Sequence, residues 1–258
     1  MWLVVDVGNT NIVMGVYDSK ELLHRWRIAS DKRRTADEHA LLLRQLCDSA
    51  GLNLEKIDGI VIGSVVPAVT QTIAQAAETL FGVVPIEVSA SLELGLEIGY
   101  QDPGQMGADR IANAVAAKEK FAGSVIVVDF GTATTFDVIS QEGKYLGGVI
   151  APGLLTSASD LFARAARLPR FVEIKVPERI LGKNTEESVQ AGMYFGAVGQ
   201  VDEIVRRIQK ELGEKALVVA TGGLAELIAP QSQTIQQVCP TLTLDGLAAI
   251  AEKERKSR

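Results

Sequence analysis

Two stretches of this chain end an apolar run in an aspartate and a glycine, followed by small polar residues. The first is Asp6-Val7-Gly8-Asn9-Thr10-Asn11, after Leu3-Val4-Val5. The second is Asp129-Phe130-Gly131-Thr132-Ala133-Thr134-Thr135, after Val125–Val128. A glycine lets the backbone come close to a ligand, and Asn and Thr add donors, so such a turn can surround phosphate oxygens. Asp6 can hold Mg²⁺ through water, because Mg²⁺ takes few protein carboxylates and keeps its waters. A third element, Thr221-Gly222-Gly223, follows the apolar run Ala216–Ala220 and can approach an adenosine. One Asp-x-Gly alone is ordinarily a tight turn. The threonines can be strand formers, and Gly147-Gly148 a bulge. Two matching turns with a late Thr-Gly-Gly are not explained by one turn requirement. The spacing is neither a Walker A loop nor a Rossmann glycine fingerprint.

The elements that must carry these turns are read from the surrounding pattern. After each Asp-x-Gly the chain repeats one order: strand, Gly/Thr turn, strand, turn, strand. A repeat separated by nearly half the chain implies two related domains, here placed at 1–117 and 118–245. The apolar spacing predicts helices over 36–50, 68–81 and 108–121, and a buried strand over 57–66. It also predicts a long helical stretch over 186–212, interrupted near Gly196 and Gly199, and a strand over 216–220. A final helix over 246–258 is expected to pack back on the first domain. Strands mixed with helices on this scale give an α/β fold.

Composition narrows the function. Of 258 residues, 47% are hydrophobic and 22% charged, which excludes a disordered or collagen-like chain. No apolar run approaches the roughly 20 residues of a spanning helix, and the N-terminus lacks a basic leader pattern, so a cytoplasmic protein is expected. A net charge of −6 removes the usual electrostatic reason to bind nucleic acid. Cys47 and Cys239 stand alone, without the spacing of a zinc site or a disulfide framework. With only His24 and His39, a histidine-based centre is not expected.

The turns and the Thr-Gly-Gly segment resemble those of the acetate kinase, sugar kinase, Hsp70 and actin superfamily. More narrowly, the chain resembles the type III pantothenate kinase family. The segments that carry the likeness are DVGNTN (6–11), GADRIANAVAA (107–117), VVDFGTATTFDV (127–138), GGVIAPG (147–153), GKNT (182–185) and ATGG (220–223). They occur in family order along nearly the whole chain. The resemblance implies two ribonuclease H-like, actin-like domains with mixed sheets and flanking helices. It implies that ATP with Mg²⁺ phosphorylates the primary hydroxyl of pantothenate to 4′-phosphopantothenate, the first step of coenzyme A biosynthesis. ATP would then be held by Asp6, Val7, Gly8, Asn9, Thr10, Asn11, Ile12, Val13, Thr132, Gly222 and Gly223.

The same resemblance makes Asp109 the expected base. A loose phosphoryl-transfer transition state demands proton removal only late, so alignment matters more than a high pKa. Arg110 can bind substrate or stabilise phosphate charge. Read locally, Asp109 can equally be a helix cap with Arg110 as its surface partner. Tyr100, Gly107, Ala108, Asp109, Arg110 and Thr185 are the implied pantothenate contacts. Thr185 alone would read as the N-cap of a helix starting at Glu186. The resemblance further implies a monovalent cation, K⁺ or NH₄⁺, on Asp129, and a homodimer in which Thr185 approaches the partner subunit's acceptor pocket.

The alternative function is a non-catalytic transcriptional accessory factor on the same scaffold. Arg25, Arg27, Lys32, Arg33 and Arg34, or the tail Lys253–Arg258, would be its basic surface. Both stretches hold or adjoin acids, and Trp26 is their one aromatic, so a solvated face is the simpler reading. Another superfamily kinase or phosphohydrolase is a third reading, against which the GADR and GKNT segments count.

Overall fold

The computed structural model describes residues 1–165 and 173–257. In chain order the strands and helices begin with β1 (Trp2–Val7), β2 (Asn11–Asp18), β3 (Glu21–Ala29), α1 (Ala36–Ser49), β4 (Gly59–Ser64) and α2 (Pro67–Phe81). Then come β5 (Ile86–Glu87), β6 (Glu97–Ile98), α3 (Ala108–Lys120), β7 (Val125–Phe130), β8 (Ala133–Ile139) and β9 (Lys144–Pro152). The chain continues through α4 (Leu154–Arg164), α5 (Thr185–Leu212), β10 (Leu217–Gly222), α6 (Ala225–Ile228), β11 (Gln237–Val238) and α7 (Leu242–Ser257). They form two units: Met1–Lys120 with the segment from Thr241 onward, and Phe121–Pro240.

The duplication seen in sequence is a duplication of topology. In the first unit the strand order is β3-β2-β1-β4-β5. The β1–β2–β3 meander is antiparallel, and β4 and β5 add in parallel beside β1. In the second unit the order β11-β10-β7-β8-β9 repeats the plan, with β7–β8–β9 antiparallel and β10 and β11 parallel. Even the irregularities match. The register slips between Val16 and Tyr17 on β2, and between Val138 and Ile139 on β8. The central strands β1 and β7 are apolar and buried on both faces except at Asp6 and Asp129, as strands in the middle of a covered sheet are.

Local chemistry sets the helix ends. Thr35 and Glu38 form a reciprocal capping box at the start of α1. Pro67 opens α2, and Gly82, at φ 68°, closes it in the left-handed region. The α3–α7 contact depends on small residues. A Cβ at Gly246 would fall on the backbone carbonyl of Ala112, so the two helices touch through main chain. Asp245, in the first turn of α7, accepts from Tyr17 Oη and Lys120 Nζ at 2.6 Å each, and from Thr241 Oγ1 at 2.9 Å. Burial, then this carboxylate, raises the pKa of the Tyr17 hydroxyl well above its ordinary value.

Several expectations shift. The 186–212 helix is not interrupted: α5 runs from Thr185 to Leu212. Gly196 and Gly199 face open space, and Tyr194, Val198, Val201 and Val205 anchor the opposite face in the core. That packing outweighs the roughly 1 kcal/mol each glycine costs a helix. The final helix starts earlier than the pattern predicted, at Leu242, and Arg258 of the basic tail lies outside the described residues. Among the described residues no helix is long and apolar enough to cross a membrane.

Candidate active site

In the first unit β1 and β4 run in parallel and end together, with Asp6 opposite Gly63 and Val7 opposite Ser64. The turn between β1 and β2 is closed by the Gly8 N–H donating to the Asn11 carbonyl at 3.0 Å. A Cβ on Gly8 would stand 3.1 Å from that carbonyl oxygen, which is why a glycine keeps this turn tight. Asn9, Thr10 and Asn11 are exposed, and Asp6 is half-buried behind them. The Ser30 N–H fastens the turn by donating to the Thr10 carbonyl at 3.0 Å.

The first turn of α3 lies at the same end of this sheet. Cβ positions on Gly63 and Gly107 would stand 3.7 Å from Ala108 Cβ and 3.5 Å from Val65 Cγ1 respectively. Asp6, the 8–11 turn and the Asp109 turn are therefore gathered where β1 and β4 stop. Asp109 is half-buried, and its Oδ1 accepts the Arg110 N–H at 2.8 Å. The Arg110 side chain is buried, donates from Nη1 to Tyr100 Oη at 3.0 Å, and sets its guanidinium 5.6 Å from the Tyr100 ring centroid.

The second unit repeats the arrangement with one residue fewer in its turn. Gly131, Thr132 and Ala133 lie between the paired Phe130 and Thr134, and the Gly131 N–H donates to the Ala133 carbonyl at 3.0 Å. On the neighbouring β10, Thr221 pairs with Asp129, and the Gly223 N–H donates to the Phe130 carbonyl at 3.1 Å. Gly222 has φ 88°, and a Cβ there would strike Asp129 Oδ1 and the Phe130 backbone. Only glycine fits, so Asp129 sits against bare main chain. Thr185 is the exposed first residue of α5; the cap is Asn184, whose Oδ1 accepts the Glu187 N–H at 2.9 Å. The local reading of Thr185 as the cap is thereby corrected.

A model of the type III pantothenate kinase family matches residues 2–207. The chain belongs to that family. A type III pantothenate kinase from Moorella thermoacetica is 51% identical over 253 residues, covering 98% of this chain and 99% of the relative. One from Geobacter sulfurreducens is 50% identical over 256 residues, covering 99% and 100%. Among solved structures, a Baf family protein from Campylobacter jejuni superposes with a TM-score of 0.60 at 18% identity, covering 98% of this chain and 99% of the other. A ROK hexokinase from Thermus thermophilus gives 0.52 at 16% identity, covering 99% of each. These two likenesses fix the fold: two mixed sheets with flanking helices, of the actin-like sugar-kinase type.

Within this pantothenate kinase fold, the first unit brings together Asp6, the 8–11 turn, Gly107, Asp109, Arg110 and Tyr100. Val7 and Ile12 are fully buried, so of these two only the backbone borders the turn. Ala108 is buried too. The second unit brings together Asp129, Gly222 and Gly223, with Thr132 in the turn that follows Asp129. Sequence reasoning missed the brace behind Thr132. Thr156 Oγ1 donates to the Thr132 carbonyl at 2.7 Å, and a Cβ at Gly153 would collide with that carbonyl. The signal lies in the Gly147–Gly153 segment, whose last glycine is required by the close approach to Thr132.

Proposed function

We propose that this chain transfers the terminal phosphoryl group of ATP to the primary hydroxyl of pantothenate, giving 4′-phosphopantothenate at the entry to coenzyme A biosynthesis. The observation that carries this reading is the gathering of Asp6, the 8–11 turn and Asp109 at one end of the first sheet, in a chain of this family. The backbone of residues 6–13, with the side chains of Asn9, Thr10 and Asn11, supplies donors to phosphate oxygens. Asp6 would hold Mg²⁺ through water. Among the described residues no three His, Cys, Asp or Glu side chains cluster to ligate a metal, and a single carboxylate suits an ion that keeps its waters. When bound, Mg²⁺ neutralises charge on the β- and γ-phosphates.

Asp109 is the base. Its Oδ1 accepts the Arg110 N–H, and Oδ2 is the oxygen that takes the acceptor's proton. The pantothenate hydroxyl oxygen attacks the γ-phosphorus, the bond to ADP breaks, and the hydroxyl proton passes to Oδ2. Arg110, held by Tyr100, binds the acceptor, with Gly107 and the Ala108 backbone lining its pocket. In the second unit Thr132, Gly222 and Gly223 contact ATP. Asp129, pressed against oxygen-bearing main chain, suits a hard monovalent cation, K⁺ or NH₄⁺.

The protein acts as a homodimer in the cytoplasm, with Thr185 reaching the partner's acceptor site. Support comes from apolar side chains left exposed on the second unit: Ile150, Leu155, Ile180 and Leu181 are 63%, 55%, 62% and 74% accessible. The test is a coupled assay with ATP, Mg²⁺, K⁺ and pantothenate, with other hydroxyl acceptors as controls. ADP release that depends on pantothenate alone is the expected result; equal turnover of a sugar would overturn the assignment of the acceptor.

A further inference from the structure

Arg34 lies in the turn between β3 and α1, and no carboxylate pairs with it among the described residues. Its Nη1 is buried and meets no acceptor. Both nearby acids are engaged elsewhere. Asp31 takes Arg33 Nε at 3.2 Å and Nη2 at 3.1 Å, and Glu38 takes the Thr35 N–H at 2.7 Å. Arg34 also precedes the N-cap of α1, where the helix dipole disfavours a cation.

Two further polar atoms of the same segment are buried without a partner, Ser30 Oγ and His39 Nε2. His39 supplies no compensating anion; burial, then the Arg34 charge, lowers its pKa. Asp31 and Glu38 lie near enough to feel the Arg34 charge, but neither forms an ion pair with it, so the guanidinium sits ahead of the helix dipole with a buried, unpartnered Nη1 and beside two orphaned polar atoms. Departures from local rules of this kind belong to ligand sites more often than to scaffolding. The segment that carries Arg34 is tied to the 8–11 turn, because the Ser30 N–H, four residues ahead of Arg34, donates to the Thr10 carbonyl at 3.0 Å. An arginine fork is suited to phosphate, which presents several acceptor oxygens at once.

We infer that Arg34 is a polyphosphate-binding residue, a cation reserved for the phosphate chain of the nucleotide held at the 8–11 turn. The inference rests on the nucleotide reading above and adds a residue to it. It distinguishes Arg34 from Arg25, Arg27, Lys32 and Arg33, which are exposed.

The test is equilibrium binding of MgATP, inorganic tripolyphosphate and AMP to the full chain and to Arg34→Gln and Arg34→Lys. Arg34→Gln should bind MgATP and tripolyphosphate about 10- to 100-fold more weakly, the scale of one lost charge-assisted contact. AMP binding, and the KM for pantothenate at saturating ATP, should stay within twofold (roughly the precision of such comparisons). Arg34→Lys should recover part of the loss, since it keeps the charge without the fork. If wild type binds both polyphosphates and Arg34→Gln binds them equally, the inference is overturned and the nucleotide reading stands. If wild type binds neither, the nucleotide reading falls, and the inference with it. Should Arg34→Gln fail to fold by circular dichroism, Arg34→Lys decides, and unchanged tripolyphosphate affinity in it overturns the inference.

Discussion

Replacing Gly246 by alanine tests how α3, the helix that carries the proposed base Asp109, is held. A Cβ at this position meets the carbonyl oxygen, the carbonyl carbon and the Cα of Ala112, all of them main chain, so no side chain can swing aside. That Cβ would stand 1.9 Å from the oxygen, so restoring an ordinary contact near ~3.5 Å requires the helices to part by more than 1 Å, about 1.6 Å along that line. Overpacking of this kind costs about 1–3 kcal/mol, and alanine returns at most ~1 kcal/mol of helix propensity. The expected net loss is about 1–2 kcal/mol, or roughly 2–8 °C in the melting of the first unit. Asp109 lies one turn from Ala112 on α3, so it moves with the helix. A 1 Å misplacement at the reacting centre can cost on the order of 10²-fold in rate. Scanning calorimetry and steady-state kinetics read the two effects. Gly199→Ala is the control, because a Cβ there meets open space and should stabilise by about 0.5–1 kcal/mol. A Gly246→Ala protein with wild-type melting and wild-type kcat would refute the idea that this close approach sets the position of Asp109.

Other outcomes follow from the site and its supports. Asp109→Asn should still bind MgATP by titration calorimetry but lose about 10²- to 10⁴-fold in kcat; wild-type turnover would remove it as the base. Activity should require K⁺ or NH₄⁺ and fall sharply in Na⁺ alone, and equal rates in all three salts would end the role given to Asp129. Ile180→Glu should shift the protein from dimer to monomer in sedimentation and raise the KM for pantothenate; an unchanged dimer would separate this patch from the interface. Asp202→Ala should cost about 2–4 kcal/mol at pH 7 by denaturant unfolding, since it strips acceptors from the Gln233 and Thr234 N–H groups and the Ser232 hydroxyl. Burial raises the Asp202 pKa, but those hydrogen bonds outweigh it and the net shift is downward. Its contribution is thus present above the unfolded carboxylate value and is lost as pH falls through the folded one. The gap between variant and wild type should narrow in that acid range, and a constant gap would contradict the sign.

Much of the fold was legible because the pattern is local. β1 and β7 announce themselves as apolar runs that stop at Asp-x-Gly, and α1, α2 and α3 keep helical spacing with recognisable ends. The short strands β5 and β6, two residues each, are too brief to carry a periodicity that sequence could show. The helix α4 was missed because Thr156, Ser157 and Ser159 interrupt its apolar stripe. The continuity of α5 through Gly196 and Gly199 comes from core contacts that no window of sequence contains. At the site, Asp6, Asp109 and Asp129 could be singled out by type and position. What could not be read was the support: Tyr100 beneath Arg110, Thr156 behind Thr132, and Ser30 tied to Thr10 join residues 10 to 24 positions apart. Asp245 is the extreme case, reaching Tyr17 across 228 positions.

That last carboxylate has a bearing on how the molecule is assembled. Lys120 is the residue at which the chain leaves the first unit, Thr241 the one at which it returns, and Asp245 grips both. A ribosome makes Tyr17 and Lys120 long before it makes their anchor. The continuous Phe121–Pro240 segment can settle as soon as it emerges, while the amino-terminal sheet waits with α3 uncovered until α7 is synthesised. Vectorial synthesis, which ordinarily favours amino-terminal domains, here lets the second unit finish ahead of the first.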